Sequence, residues 1–155
     1  MKNNNRKKRL EILLERQKRK QDKINSNNYG VLFNEYIEAL GNEVTIFSNE
    51  KSNELYESFE NQVPFTTFSR IDWNKIENHH LISDLSEVAD LLKNEYVEVY
   101  WSSENFPVTK TKFQKVINAF DDLIAISSVS VTYLYIPMKY VIEVYHEGDI
   151  TIGYL

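Results

Sequence analysis

No cysteine occurs in this 155-residue chain, and it has only four glycines and three prolines. Without cysteine there can be no disulfide framework, no thiolate-ligated zinc and no cysteine nucleophile. The glycines Gly30, Gly41, Gly148 and Gly153 are scattered, so there is no glycine-rich cradle for a dinucleotide or nucleoside triphosphate. No nucleophile-elbow pattern occurs either. Long apolar runs are also missing: runs such as 31–33 and 123–126 fall far short of the roughly 20 residues that span a bilayer. The basic N-terminus meets no apolar segment of signal-peptide length before the polar stretch 25–28, so neither a membrane span nor a secretion signal is expected. A cytoplasmic protein fits these absences. The chain is long enough to bury roughly two thirds of its unfolded surface in one domain without staples.

What is present is an uneven charge. Residues 1–23 carry ten Lys and Arg and three acids, a local net of +7, while the remaining 132 residues carry 8 basic and 20 acidic groups, a net of −12. An acidic body repels phosphate backbones and steers basic proteins toward it. Solubility alone would also account for such an excess. The arm has few apolar residues beyond Leu10, Ile12, Leu13 and Leu14 and no interleaved aromatics, which predicts a solvated helix or frayed end. The division expected is a basic arm and linker over 1–28 and a single domain over 29–155.

Within the domain, Leu32, Phe33, Tyr36, Ile37 and Leu40 recur at helical spacing over 29–40, with Gly41 placed to cap. Alternation over 43–48 predicts a short strand, Leu55, Tyr56 and Phe59 a helix over 53–61, and 65–73 a strand or extended segment. Ser83 is placed to cap a helix over 84–93, 96–102 alternates as a strand, and Thr109 or Thr111 could cap a helix with the stripe Phe113, Val116, Ile117 and Phe120. The clearest β signal is C-terminal: 129–136, 139–146 and 150–154, separated by turns at Pro137-Met138 and Glu147-Gly148-Asp149, form a three-strand meander. The fold expected is α+β, an antiparallel sheet with helices packed on one face.

Catalytic and metal chemistry finds little support. Adjacent His79 and His80 cannot point the same way on a strand and are poor joint metal ligands. His146-Glu147-Gly148-Asp149 brings imidazole and carboxylates close in sequence, as acid-base chemistry requires in space, but Gly148 and Asp149 are turn formers between two strands, and the turn is the stronger reading. No catalytic residue, metal ligand or cofactor is assigned.

With Val97, Val99 and Trp101 turned to the core, the other face of that strand presents Tyr96, Glu98 and Tyr100. On the next-to-last strand, Val141, Glu143 and Tyr145 oppose Tyr140, Ile142 and Val144. A face of acids and tyrosines suits a protein interface. It would not suit single-stranded RNA, which needs basic neighbours. Asp121 and Asp122 fall at a predicted helix C-terminus, where negative charge is unfavourable; such a break in a local rule can mark a binding site, and placement in a loop explains it almost as well. The partner-binding candidates are therefore Glu98, Tyr100, Asp121, Asp122, Glu143 and Tyr145.

The run Tyr140-Val141-Ile142-Glu143-Val144-Tyr145-His146-Glu147-Gly148-Asp149-Ile150-Thr151-Ile152-Gly153, together with Phe68-Ser69-Arg70-Ile71-Asp72-Trp73, resembles small cytoplasmic immunity proteins. These accompany contact-dependent growth-inhibition and related polymorphic toxins in bacteria. The resemblance leaves the basic arm outside, and such proteins share no catalytic motif to carry over. It implies a non-enzymatic antitoxin that binds the C-terminal domain of a cognate toxin, often a nuclease, and blocks its active site or a neighbouring surface. Two other classes stay open: a nucleic-acid-associated regulator using the arm, and a small hydrolase.

Overall fold

The computed structural model describes residues 7–14, 29–102, 106–128, 130–145 and 147–155. In chain order these form α1 (7–14), α2 (Val31–Leu40), β1 (Thr45–Ile46), α3 (Asn49–Gln62) and a 3-10 turn at Trp73–Lys75. Next come β2 (Asn78–Ile82), a 3-10 turn at Leu85–Val88 running into α4 (Ala89–Leu92), β3 (Tyr96–Trp101) and β4 (Thr109–Lys112). The chain closes with α5 (Phe113–Asn118), α6 (Phe120–Ser127), β5 (Thr132–Ile136), β6 (Tyr140–Val144) and β7 (Ile150–Tyr154). The rest of the basic arm, the linker 25–28, Val129 and His146 lie outside the described residues.

The seven strands make one antiparallel sheet in the order β1-β4-β3-β5-β6-β7-β2. The β5–β6–β7 meander occupies its centre and right half, as the alternating C-terminal residues predict. Gly148, at φ 98°, turns the chain between β6 and β7, a conformation that favours glycine. Tyr145 N donates to Asp149 O at 2.9 Å and closes that turn, so Gly148 and Asp149 serve the hairpin. One edge is β1 and the other is β2, which pairs with β7 so that His79 faces Gly153 and His80 faces Ile152.

Alternation along the strands sends side chains to two separate cores. On one face, Val97, Val99, Trp101, Leu134, Ile136, Ile142, Val144 and Ile152 pack with Phe33, Tyr36 and Leu40 of α2, Phe113 and Val116 of α5, and Leu123 and Ile126 of α6. On the other, Tyr100, Tyr133, Tyr135 and Val141 pack with Phe59 of α3 and with Val63, Ile71 and Ile76. Burying each large apolar side chain is worth about 1.5–3 kcal/mol, so both layers contribute substantially to stability. The α+β class stands, but the helices do not all lie on one face. α3 and the segment after it cover the face expected to meet water, because Leu55, Tyr56 and Phe59 give α3 an apolar stripe that needs a partner.

Several local expectations change. Ser48 caps α3, its Oγ accepting from Lys51 N, and the helix starts earlier than the apolar spacing alone indicates. Asp84, not Ser83, caps the Leu85–Val88 turn: its carboxylate accepts from Ser86 N at 2.8 Å while Glu87 Oε2 accepts from Asp84 N at 3.0 Å. Thr109 and Thr111 are not caps but buried residues of β4, opposite Val99 and Val97, where β-branched side chains fit the pleated surface. The stretch 65–73 is not a strand. Only Phe65 and Ile71 bridge: Phe68 N and Arg70 N donate to the Thr66 side chain and Ile71 N to that of Glu143, so no ladder continues from the bridge.

The stripe from Phe113 to Phe120 is broken at Ala119 (φ −102°, ψ 18°), where α5 ends and α6 begins. Phe113 and Val116 are buried while Ile117 and Phe120 are half-buried. Asp121 and Asp122 thus sit in the first turn of α6, not at a helix C-terminus. There the positive end of the helix dipole favours them, and the apparent violation of a local rule disappears.

Candidate functional site

The two sequence runs that carry the resemblance meet in space. After α3, Val63 turns extended ahead of Pro64, and the chain reverses through a tight excursion to Trp73. Thr66 N donates to Arg70 O at 2.7 Å, and Thr66 Oγ1 accepts from Phe68 N at 3.2 Å and Arg70 N at 3.4 Å. Ser69 takes φ 60° at the reversal, and its carbonyl accepts the Tyr133 hydroxyl.

The base of this loop converges on Glu143, which is 1% exposed. Its Oε1 accepts from Arg70 Nη2 at 2.7 Å, Arg70 Nε at 3.1 Å and Trp73 Nε1 at 3.4 Å, and its Oε2 accepts from Ile71 N at 2.8 Å. Four donors replace the water lost on burial, as a buried carboxylate requires. The hydrogen bond to Glu143 raises the Arg70 pKa, so the guanidinium is firmly charged. Its Cζ also lies 3.7 Å from the Tyr145 ring centroid, a cation–π contact. Trp73 packs closely against Gly153, where a β-carbon would come within 2.6 Å of the indole. The arrangement is a clamp that orders the 64–73 loop.

The face of acids and tyrosines expected to be solvated is largely covered. Glu98 is 8% and Tyr100 1% exposed. Tyr100 Oη donates to Glu98 Oε1 at 2.9 Å, and its ring stacks on Phe59 with centroids 4.2 Å apart. Burial, then the neighbouring Glu98 charge, pushes the Tyr100 hydroxyl well above its ordinary pKa. The physical reason is α3, whose Tyr56 and Phe59 rings pack on Tyr100, while the 64–73 loop closes over Glu143. Tyr145 and Asp122 are half-buried and Asp121 is exposed. Clamp and core thus bring Glu143 and Tyr145 together through Arg70, and Glu98 to Tyr100, while Asp121 and Asp122 stand apart on α6.

The surface carries features that the apolar periodicities did not single out. Glu50, Glu54, Glu57 and Glu60 of α3 are all exposed, and the helix's single base, Lys51, lies 3.8 Å from Glu54. Their spacing of four, three and three residues is legible as one acidic helix side once the helix is known to begin at Asn49. Phe68, at the tip of the clamped loop, is 85% exposed. No period marks it, because its setting is a turn.

The histidines of β2 project to opposite faces. The His79 ring lies 5.4 Å from Trp73, with Nδ1 2.6 Å from Ile76 O, and His80 stacks on Tyr154 at 5.9 Å. Among the described residues no group of three or more His, Asp or Glu is placed to hold a metal ion. No helix among them is long and apolar enough to cross a membrane. In α1, Arg9 Nη2 reaches Glu35 Oε1 of α2 at 3.2 Å, a solvated pair.

The family model described as CdiI immunity protein, EcoliA0-like, matches residues 30–153, from the start of α2 into β7. No curated protein matches the chain.

Proposed function

This chain belongs to the CdiI immunity protein family, whose members neutralise a cognate toxin, and from that premise we propose that it binds a basic toxin domain, a nuclease, and blocks it by surface complementarity without any chemistry of its own. The match over residues 30–153 carries the proposal. The charge layout supports it: with 8 basic against 20 acidic groups after residue 23, the body attracts the kind of surface that attracts phosphate. The binding domain in this proposal is 29–155, with the basic arm 1–28 outside it. The complex forms in the cytoplasm, where a nuclease meets its nucleic acid.

The exposed carboxylates Glu50, Glu54, Glu57 and Glu60 provide the steering surface in this proposal. Asp121 and Tyr145 remain accessible to a partner at the margins, whereas Glu98, Tyr100 and Glu143 support the surface from beneath. The test is co-expression with the toxin domain encoded in the neighbouring upstream reading frame, paired with association rates at low and high salt. Protection of the cells, together with fast association that slows as salt rises, is the expected result. Failure to protect, or salt-dependent binding to DNA or RNA that vanishes on deleting residues 1–23, would replace this proposal with a nucleic-acid-binding one.

A further inference from the structure

We propose that Phe68 is the aromatic anchor of the toxin interface, inserted into an apolar pocket of the basic partner while the acidic side of α3 lies along the partner's charged surface. This inference rests on the immunity reading and deepens it by naming the contact residue.

Isolated exposed apolar residues are common and need no function. Phe68 differs in how it is held. At 85% exposure it is the most exposed large hydrophobic side chain among the described residues, yet its loop is pinned on both sides. Thr66 accepts hydrogen bonds from Phe68 N and Arg70 N, the Ser69 carbonyl is fixed by Tyr133, and Ile71 N and Arg70 are held by the buried Glu143. Asp72 N closes the base on Pro64 O at 2.9 Å. An aromatic ring presented on an ordered loop loses little conformational freedom on binding, which favours affinity. Its neighbours Thr66, Thr67 and Ser69 are exposed and polar, giving the ring a polar rim of the kind that surrounds interface hot spots.

Charge complementarity selects the occupant. Phe59 and Phe65 both lie against Tyr133, with centroids 5.6 and 5.4 Å from it, so the C-terminal end of α3 and the base of the loop share one support. The Glu60 charge is felt at the Tyr133 hydroxyl that holds Ser69, and adds to the upward shift produced mainly by burial. Exposed Glu57 and Glu60 therefore accompany the loop on the same side of the sheet. A basic protein with an apolar cavity satisfies both features together, whereas nucleic acid or an anionic membrane would be repelled by these carboxylates.

The experiment measures binding of the full-length protein to the toxin domain encoded upstream, by calorimetry and dissociation rate, for wild type, Phe68→Ala and Phe68→Trp. Each variant's melting temperature is measured alongside. Phe68→Ala should melt like wild type and bind about thirtyfold or more weakly, mainly through faster dissociation. This loss should persist at high salt, while Phe68→Trp should retain most of the affinity. If wild type binds and Phe68→Ala binds equally well, the anchor is overturned and the immunity reading survives. If wild type itself does not bind, both fall. Self-association of wild type that Phe68→Ala abolishes, with toxin binding unchanged, would also overturn the proposal and make a second copy the occupant.

Discussion

Glu143, buried on β6, accepts two hydrogen bonds from Arg70, 73 residues earlier in the chain, at 2.7 and 3.1 Å. The pair joins the loop after α3 to the central strands and sets where Phe68 stands. Arg70 is 35% exposed at its side chain against 1% for Glu143, so the two ends of the ion pair have unequal freedom. The guanidinium can find water, whereas the carboxylate depends on its protein partners.

That asymmetry predicts how the pair fails. Arg70→Met should strand a buried carboxylate and cost about 3–5 kcal/mol. Replacing both residues with apolar ones, Arg70→Met with Glu143→Leu, should recover part of that loss, although Ile71 N then lacks its acceptor. Urea unfolding of both variants measures the difference, and a neutral Arg70→Met would show that Glu143 does not need its guanidinium partner.

Gly153 should resist substitution despite its ordinary strand position. A β-carbon there would meet Trp73 Cζ3 at 2.6 Å and Ile76 Cγ2 at 3.1 Å. Gly153→Ala is expected to cost about 1–3 kcal/mol through overpacking. Adding Trp73→Leu should relieve the steric part, and melting curves of the single and double variants give the readout.

The break at Ala119 ranks the two phenylalanines that flank it. Phe113, 1% exposed, should lose about 3–5 kcal/mol on change to Ala by transfer and cavity terms. Phe120 is half-buried and should lose distinctly less. Equal losses in denaturant titrations would mean that α5 and α6 form one continuous buried stripe after all.

Alkaline pH should unfold the protein through its buried tyrosines. Burial pushes Tyr56 from 10.0 up to about 12, opposed by its hydrogen bond with the Trp101 backbone and reinforced by Glu60. Tyr36, Tyr100 and Tyr133 are also pushed upward by burial. Because the folded values lie above the unfolded one, the native state holds more protons. The Tyr56 contribution, about 2–3 kcal/mol, is fully present below pH 10 and lost as pH rises through about 12. Tyrosinate absorbance and circular dichroism should change together across that window. Full ionisation of these tyrosines near pH 10 with the fold intact would contradict their burial.

The sequence by itself determined the α+β class, the C-terminal meander and the amphipathic α2, because periods of two and of three to four are local properties of neighbouring residues. It also determined the charge division between arm and body, which is only a count. The family was legible too, through the runs around Arg70 and Glu143, although their role was not. Tertiary structure decided which strand faces meet water. Both faces of β3, β5 and β6 bear large side chains, Val99, Leu134 and Ile142 on one and Tyr100, Tyr133 and Val141 on the other, so alternation separates the faces without saying which is covered. The covering elements, α3 and the loop from 64 to 73, come from far earlier in the chain. β2 likewise reaches its place only by pairing with β7, and Asp121 and Asp122 gain a favourable setting only because the helix restarts at Phe120. A carboxylate on a strand looks the same in sequence whether water or an arginine solvates it. For Glu143 the arginine is supplied by contacts across 73 residues, which no local pattern encodes.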